Sequence, residues 1–173
     1  MRAADNQSGG AGCIDPRLVA RAGEVIERLR RERTSVITAE SCTAGLIAAV
    51  LSQADGAGEI LHGSFVTYSK AHKTAALGVP AALLESRGSV NEEVARAMAE
   101  GALTRSPADL TVAVTGVLGP EPDEDGNPVG LVYLCCRSRA GDSRVSRADF
   151  GKQPHDVLRY QTVMAALDLL AAS

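Results

Sequence analysis

The chain has 173 residues, of which 45% are hydrophobic. This length and composition predict one domain with a single hydrophobic core. The formal net charge is −3, which argues against a surface that binds nucleic acid or another polyanion. With no Trp, three Tyr and two Phe, the chain also offers few aromatic rings on which single-stranded bases could stack.

The N-terminal residues are rich in small and polar side chains and show no periodicity. Residues 1–14 are therefore predicted to be disordered, and residues 15–173 to form the domain. No stretch resembles the apolar part of a signal peptide or a membrane-spanning segment, so we expect a cytoplasmic protein with no membrane partner. The spacing of the four cysteines is not that of a zinc site, which predicts reduced thiols and no metal.

Hydrophobic periodicity predicts alternating helices and strands along the chain. Asp15-Pro16 has the sequence of a helix start, and Ser89 to Glu92 matches a capping box in which Ser89 begins a helix. The predicted helices cover 15–31, 43–53, 69–77, 81–86, 92–105 and 155–171. The predicted strands cover 36–39, 60–68, 110–115, 130–136 and 144–150. This alternation, with a hairpin near the end, indicates an α/β domain with helices on both faces of a mixed sheet.

The most informative segment lies where the first predicted strand meets the second predicted helix. A β-branched run stops at Glu40-Ser41-Cys42-Thr43-Ala44-Gly45, and a helical apolar stripe follows directly. Ser41 is either a helix cap or a nucleophile whose oxyanion is held by the helix start. No histidine stands at a recognisable triad spacing, and a lysine with a lowered pKa is the other possible base.

Two neighbours of Ser41 leave alternatives open. Cys42 is either a small buried group or itself a nucleophile, with Glu40 and a lysine completing the set. Glu40 is either a surface carboxylate or a ligand for a substrate hydroxyl.

Two further segments follow predicted strands. Tyr68 to Lys73 is either a solvated basic face or part of a site, and Thr115 to Pro120 is either a turn or a close approach of backbone to a ligand. The carboxyl ends of strands are where ligands bind in α/β sheets.

In order and spacing these segments resemble the CinA C-terminal domain family, the nicotinamide-nucleotide amidohydrolases. The resemblance runs from about Leu18 to Leu170, and the residues that carry it are Thr38 to Ile47, Tyr68-Ser69 with Lys73, Leu77 to Val79, Gly88 to Val90, Glu93 to Ala95, Ala113 to Gly116, Gly119-Pro120 and Pro128 to Gly130. It implies a three-layer α/β/α sandwich with a mixed, mostly parallel sheet.

The resemblance also implies an activity, which is hydrolysis of the carboxamide of nicotinamide mononucleotide to nicotinate mononucleotide and ammonia. Ser41 would attack the amide carbon, Lys73 would act as base, and Tyr68 would assist proton transfer, with no metal or other cofactor. The implied substrate-binding residues are Glu40, Cys42, Thr43, Gly45, Thr115, Gly116 and Arg159, with Arg159 meeting the phosphate. The partner would be this pyridine nucleotide, and the Ala-rich helix surface is compatible with a homodimer.

Four positions depart from the family pattern. Ala44 stands where the family usually has Gly, and Lys70 stands where it usually has Asn. The segment Glu121 to Gly126 is acidic where the family has small residues, and Gln153 to His155 replaces a Gly-Asp-Arg segment. The loss of the Arg and the added acidic residues weaken the expectation of phosphate binding, and a non-catalytic nucleotide-binding homologue is the alternative function.

Overall fold

The computed structural model of the protein describes residues 14–173. Residues 1–13 of the segment predicted to be disordered lie outside this range. Ile14 lies inside it and, contrary to that prediction, packs against the hydrophobic core.

Residues 14–173 form seven helices and five strands. The helices are α1 (Pro16–Glu32), α2 (Leu46–Leu51), α3 (Ala57–Ile60), α4 (Lys70–Leu77), α5 (Ala81–Arg87), α6 (Glu92–Thr104) and α7 (His155–Ala171). The strands are β1 (Val36–Glu40), β2 (Leu61–Val66), β3 (Leu110–Gly116), β4 (Leu131–Ser138) and β5 (Ser143–Asp149). No helix of this part of the chain is both long enough and apolar enough to cross a membrane.

The strands form one mixed sheet in the order β2-β1-β3-β4-β5. β1 pairs in parallel with β2 and β3, whereas β4 pairs antiparallel with β3 and β5. The mixed α/β sheet is therefore confirmed, but parallel pairs do not predominate, because two of the four pairings are of each kind. The reason lies in the connections after β3, which contain no helix that could return the chain to a parallel start.

Helices cover both faces of the sheet and give the three layers. α1, α2 and α7 pack on one face around a cluster that includes Val36, Val112 and Cys136. α4, α5 and α6 pack on the other face, where Ile37 and Cys135 belong to the second cluster. The predicted opposite orientation of the two adjacent cysteines is confirmed, since successive side chains of a strand point to opposite faces.

Two helix starts differ from the prediction. α2 begins at Leu46, not at residue 43, because residues 41–45 form a turn in which Ala44 and Gly45 have φ of 52° and 94°. The N-cap of α6 is Asn91, whose side chain accepts the Val94 N–H, so the predicted capping role of Ser89 is wrong.

Candidate active site

The loops after β1, β2 and β3 meet at one edge of the sheet, because these three strands run in parallel. They border a cleft of about 330 Å³, a volume suited to a small ligand. Its lining residues are Ser41, Cys42, Tyr68, Ser89, Val90, Thr115, Gly116, Val117, Leu118, Gly119, Glu121, Asp123 and His155.

Ser41 and Lys73 are in direct contact beneath this cleft. The Lys73 Nζ donates hydrogen bonds to Ser41 Oγ at 2.8 Å and to the Thr67 carbonyl oxygen at 2.9 Å. Lys73 lies on α4, and α4 packs closely on α6 because Gly101 has no Cβ to overlap the Leu77 carbonyl oxygen. The sequence therefore separates the two groups by 32 residues, and packing brings them within hydrogen-bond distance.

The environment of Lys73 favours its neutral form. The side chain is only 1% exposed, and this burial lowers its pKa from 10.5 to about 8, against a small opposing effect of the Cys42 thiol. An amine with a pKa near 8 is neutral in part of the molecules at physiological pH and can accept a proton. Ser41 is thus a hydroxyl beside a suitable base.

Cys42 lines the same cleft but is poorly prepared as a nucleophile. Loss of solvent around the thiol raises its pKa to about 12, so the reactive thiolate is scarce near neutral pH. The Lys73 amine contacts Ser41 Oγ and not the Cys42 thiol. These observations support Ser41 over Cys42 as the attacking group.

Glu40 is fully buried, which corrects its interpretation as either a surface carboxylate or a substrate ligand. Its carboxylate accepts five hydrogen bonds of 2.7 to 3.0 Å, three of them from N–H groups at the start of α2. The donors are the hydroxyls of Thr38 and Thr43 and the amides of Gly45, Ile47 and Ala48. Glu40 therefore caps α2 from inside the protein.

The capping by Glu40 also corrects the predicted oxyanion site. The amides of Gly45, Ile47 and Ala48 are occupied by a carboxylate and cannot hold a second anion. The amides of Cys42 and Thr43, in the turn before α2, lie beside the Cys42 sulfur and donate to no oxygen of the described residues. They are the N–H groups next to Ser41 that remain available.

Four other predicted binding residues have structural roles around the site. Thr43 and Gly45 do not line the cleft. The Thr43 hydroxyl donates to the Glu40 carboxylate, and Gly45 supplies the left-handed backbone of the turn. Thr115 does line it, but its hydroxyl donates to the Ser89 carbonyl oxygen at 2.7 Å. Gly116 also lines the cleft, and a Cβ there would overlap Val132 and the Leu131 carbonyl oxygen on β4.

Tyr68 and Arg159 line different clefts. Tyr68 lines the cleft and is 74% exposed, with no hydrogen bond from its hydroxyl to other described residues. Arg159 is exposed on α7 and lines a second cleft of about 640 Å³ together with Arg17 and Tyr160. The larger cleft lacks Ser41 and Lys73, and Arg159 is not among the residues that line the Ser41 cleft, so the predicted phosphate contact stays a prediction.

Two of the family departures contact each other. The Lys70 Nζ lies 2.6 Å from the Glu124 carboxylate and 3.1 Å from that of Asp125, across the mouth of the loop between β3 and β4. The acidic loop is therefore held by the lysine that replaces the family's usual Asn.

Sequence reasoning assigned no binding role to Ser89 or Val90, which also line the cleft. The Gly88-Ser89-Val90 match offered a signal, but Ser89 was interpreted as a helix cap. Within residues 14–173, no group of three or more His, Cys, Asp or Glu side chains is arranged to hold a metal ion.

Comparison with known sequences connects this geometry to a family. The sequence model of the CinA C-terminal domain matches residues 19–173. A CinA-like protein of Geobacter sulfurreducens is 43% identical over 146 residues, which is 84% of this chain but 35% of that protein. The chain thus spans about a third of the length of such relatives. The nicotinamide-nucleotide amidohydrolase PncC of Pseudomonas putida is 42% identical over 158 residues, or 90% of this chain and 95% of that protein.

Solved structures agree with the fold. The competence/damage inducible protein CihA of Agrobacterium tumefaciens superposes with a TM-score of 0.86 at 37% identity, covering 90% of this chain and 94% of that one. The competence damage-inducible protein A of Klebsiella pneumoniae gives the same TM-score at 31% identity, covering 90% and 96%.

Proposed function

Because this chain belongs to the CinA C-terminal domain family, we propose that it is an amidohydrolase acting on the carboxamide of a nicotinamide nucleotide, with nicotinamide mononucleotide as the first candidate. The products would be nicotinate mononucleotide and ammonia. The observation that carries the proposal is the 2.8 Å contact between the buried Lys73 amine and Ser41 Oγ. The similarity to the Pseudomonas putida amidohydrolase supports the choice of substrate.

In the first step, Ser41 Oγ attacks the carboxamide carbon while its proton passes to the neutral Lys73 amine. The Thr67 carbonyl accepts one Nζ–H, and this hydrogen bond helps to orient the nitrogen lone pair toward Ser41. Burial supports the step because it keeps the pKa of Lys73 near 8, within reach of neutral pH.

The attack creates a negative oxygen that needs hydrogen-bond donors. The amides of Cys42 and Thr43 are adjacent to Ser41 and donate to no oxygen of the described residues, so we assign them this role. One oxyanion donor is typically worth about 10²- to 10³-fold in kcat.

Collapse of the tetrahedral intermediate breaks the C–N bond and leaves an ester on Ser41. The departing nitrogen takes a proton from the Lys73 ammonium, directly or through Tyr68, whose hydroxyl is unpaired beside the cleft. Water then attacks the ester, Lys73 accepts its proton, and that proton returns to Ser41 Oγ as the carboxylate leaves.

The first experiment measures ammonia release from nicotinamide mononucleotide by the wild type and by Ser41→Ala. A loss of about a thousandfold or more is expected, as for other deleted nucleophiles. Ser52→Ala is the matched control, because Ser52 is exposed and makes only a bond within its own helix region. Equal rates for wild type and Ser41→Ala would remove Ser41 from the mechanism.

A second candidate function is that of a nucleotide-binding homologue without turnover. The observations that favour it are the acidic side chains of Glu121 and Asp123 in the cleft lining and the absence of Arg159 from it. Calorimetric binding of the nucleotide without ammonia release would support this alternative.

A further inference from the structure

The backbone of Ser89 is held on both sides at the wall of the Ser41 cleft. Its N–H donates to Asp125 Oδ2 at 3.3 Å, and its carbonyl oxygen accepts the Thr115 hydroxyl at 2.7 Å. Thr115 is buried on β3, so its hydroxyl is a rigid donor. Two side chains from separate segments therefore fix the position of one residue.

The Ser89 hydroxyl itself has no such partner. Ser89 is partly exposed and lines the cleft together with Ser41 and Tyr68, and its Oγ makes no hydrogen bond to other described residues. Because Asn91 caps α6, the Ser89 hydroxyl is also free of the helix-capping role that its sequence suggests. A hydroxyl both donates and accepts, so it can pair with an amide or a sugar hydroxyl.

Asp125 is firmly placed for its contact with Ser89. Its carboxylate is 3.1 Å from the Lys70 Nζ and packs so closely on Gly88 that a Cβ there would overlap it. The backbone N–H of Asp125 donates to Asp123 Oδ1 at 3.0 Å. The Asp123 carboxylate also accepts the backbone N–H of Asn127 at 2.8 Å. The acidic loop thus presents Asp125 to the Ser89 backbone from a braced turn.

We propose that Ser89 is a further substrate-binding residue of the Ser41 cleft, hydrogen-bonding the bound pyridine nucleotide through Oγ, and that Asp125 is its positioning residue. This inference rests on the proposed function for the identity of the substrate. It gives the acidic loop, which departs from the family pattern, a role in holding the binding wall and not in contacting a phosphate.

The decisive variant is Ser89→Ala, which removes the hydroxyl and leaves the backbone contacts. We expect kcat/KM for nicotinamide mononucleotide to fall about 3- to 20-fold, the range for one hydrogen bond, and Ser89→Thr to recover most of the loss because it keeps the hydroxyl. Ser86→Ala, on the exposed face of α5, is the matched control and should retain the wild-type value.

The positioning role of Asp125 is tested by a double-mutant cycle with Ser89. Asp125→Asn should raise KM more than it lowers kcat, and the double variant Ser89→Ala with Asp125→Asn should bind no worse than Ser89→Ala alone. Full additivity of the two losses would contradict the role of Asp125.

Binding separates this inference from the proposed function. Calorimetry with nicotinamide mononucleotide in a Ser41→Ala background measures the Kd without turnover, and Ser89→Ala should weaken it about 3- to 20-fold. A weakened Kd supports the role of Ser89 even if the wild type releases no ammonia. An unchanged Kd together with an unchanged kcat/KM would overturn it.

Discussion

At the scale of single residues, the proposed chemistry depends on the burial of one amine. The Lys73 side chain is buried, and Ser41 Oγ and the Thr67 carbonyl oxygen are its two hydrogen-bond partners. A surface lysine would remain charged at neutral pH and could not take the proton of Ser41, whereas enclosure makes the charged form unfavourable.

This burial predicts a pH profile. The protonated amine cannot act as base, so kcat/KM should rise with pH and level off above the Lys73 pKa of about 8. With this pKa, about 1% of the Lys73 amines are neutral at pH 6 and about 10% at pH 7. The value of kcat/KM should therefore rise roughly tenfold between pH 6 and pH 7. Initial rates of ammonia release between pH 6 and 9 give the profile.

Lys152→Met is the control for the pH profile, because Lys152 is an exposed lysine that should not set the inflection. A flat profile over this range would contradict the assignment of Lys73 as the base.

Ala44 carries local backbone strain in the turn after Ser41. It is a non-glycine residue with φ of 52°, and its side chain is exposed, so its Cβ contributes little packing to offset the strain. Ala44→Gly should therefore raise the free energy of unfolding by about 1 kcal/mol, measured by urea denaturation.

The matched control for Ala44→Gly should change the free energy of unfolding in the opposite direction. Ala49 is also exposed but lies in the helical part of α2, where the same change to Gly should lower stability by about 1 kcal/mol. A loss of stability in Ala44→Gly similar to that in Ala49→Gly would refute the strain at Ala44.

At the scale of elements, Glu40 fixes the start of α2. The last residue of β1 points its carboxylate at the start of α2, so strand and helix are joined by a buried cap and not only by their connecting turn. The same carboxylate holds the hydroxyl of Thr43, two residues after Ser41. The position of the proposed nucleophile is thus set by an element junction.

Glu40→Gln tests this junction with almost no change in shape. The amide group would present N–H donors to backbone N–H donors, and the charge that strengthens five hydrogen bonds would be lost. We expect the free energy of unfolding to fall by about 2 to 4 kcal/mol in urea denaturation at pH 7.

The same change at Glu32, which is exposed on α1, should stay within about 0.5 kcal/mol of the wild type. If Glu40→Gln is as mild as Glu32→Gln, the buried cap does not stabilise α2 as argued.

At the scale of the whole molecule, the parallel half of the sheet builds the site and the antiparallel half completes the core. β1, β2 and β3 end at one edge and deliver Ser41, Tyr68 and Gly116 to the cleft. β4 and β5 extend the sheet on the far side of β3, and the loop between β3 and β4 returns to form the acidic wall. The chain passes from β3 to β4 through this loop and not through a crossover helix. Asp125 of the loop accepts the Ser89 N–H at the wall of the cleft.

What the sequence determined by itself was local. Period and turn residues predicted nearly every element, and the residue types at the strand ends marked Ser41 as either a helix cap or a nucleophile, while the pairing of Ser41 with Lys73 came from the family resemblance. These features are readable because alternation and helical spacing report which face of an element is buried, whatever it packs against.

Only the tertiary structure decided which groups meet. It made Glu40 a buried cap, gave the capping of α6 to Asn91, set Ser89 in the cleft wall and placed Arg159 in another cleft. Each of these outcomes is a competition between partners far apart in the chain. Packing density and desolvation settle such competitions, and neither quantity is defined until the layers have assembled.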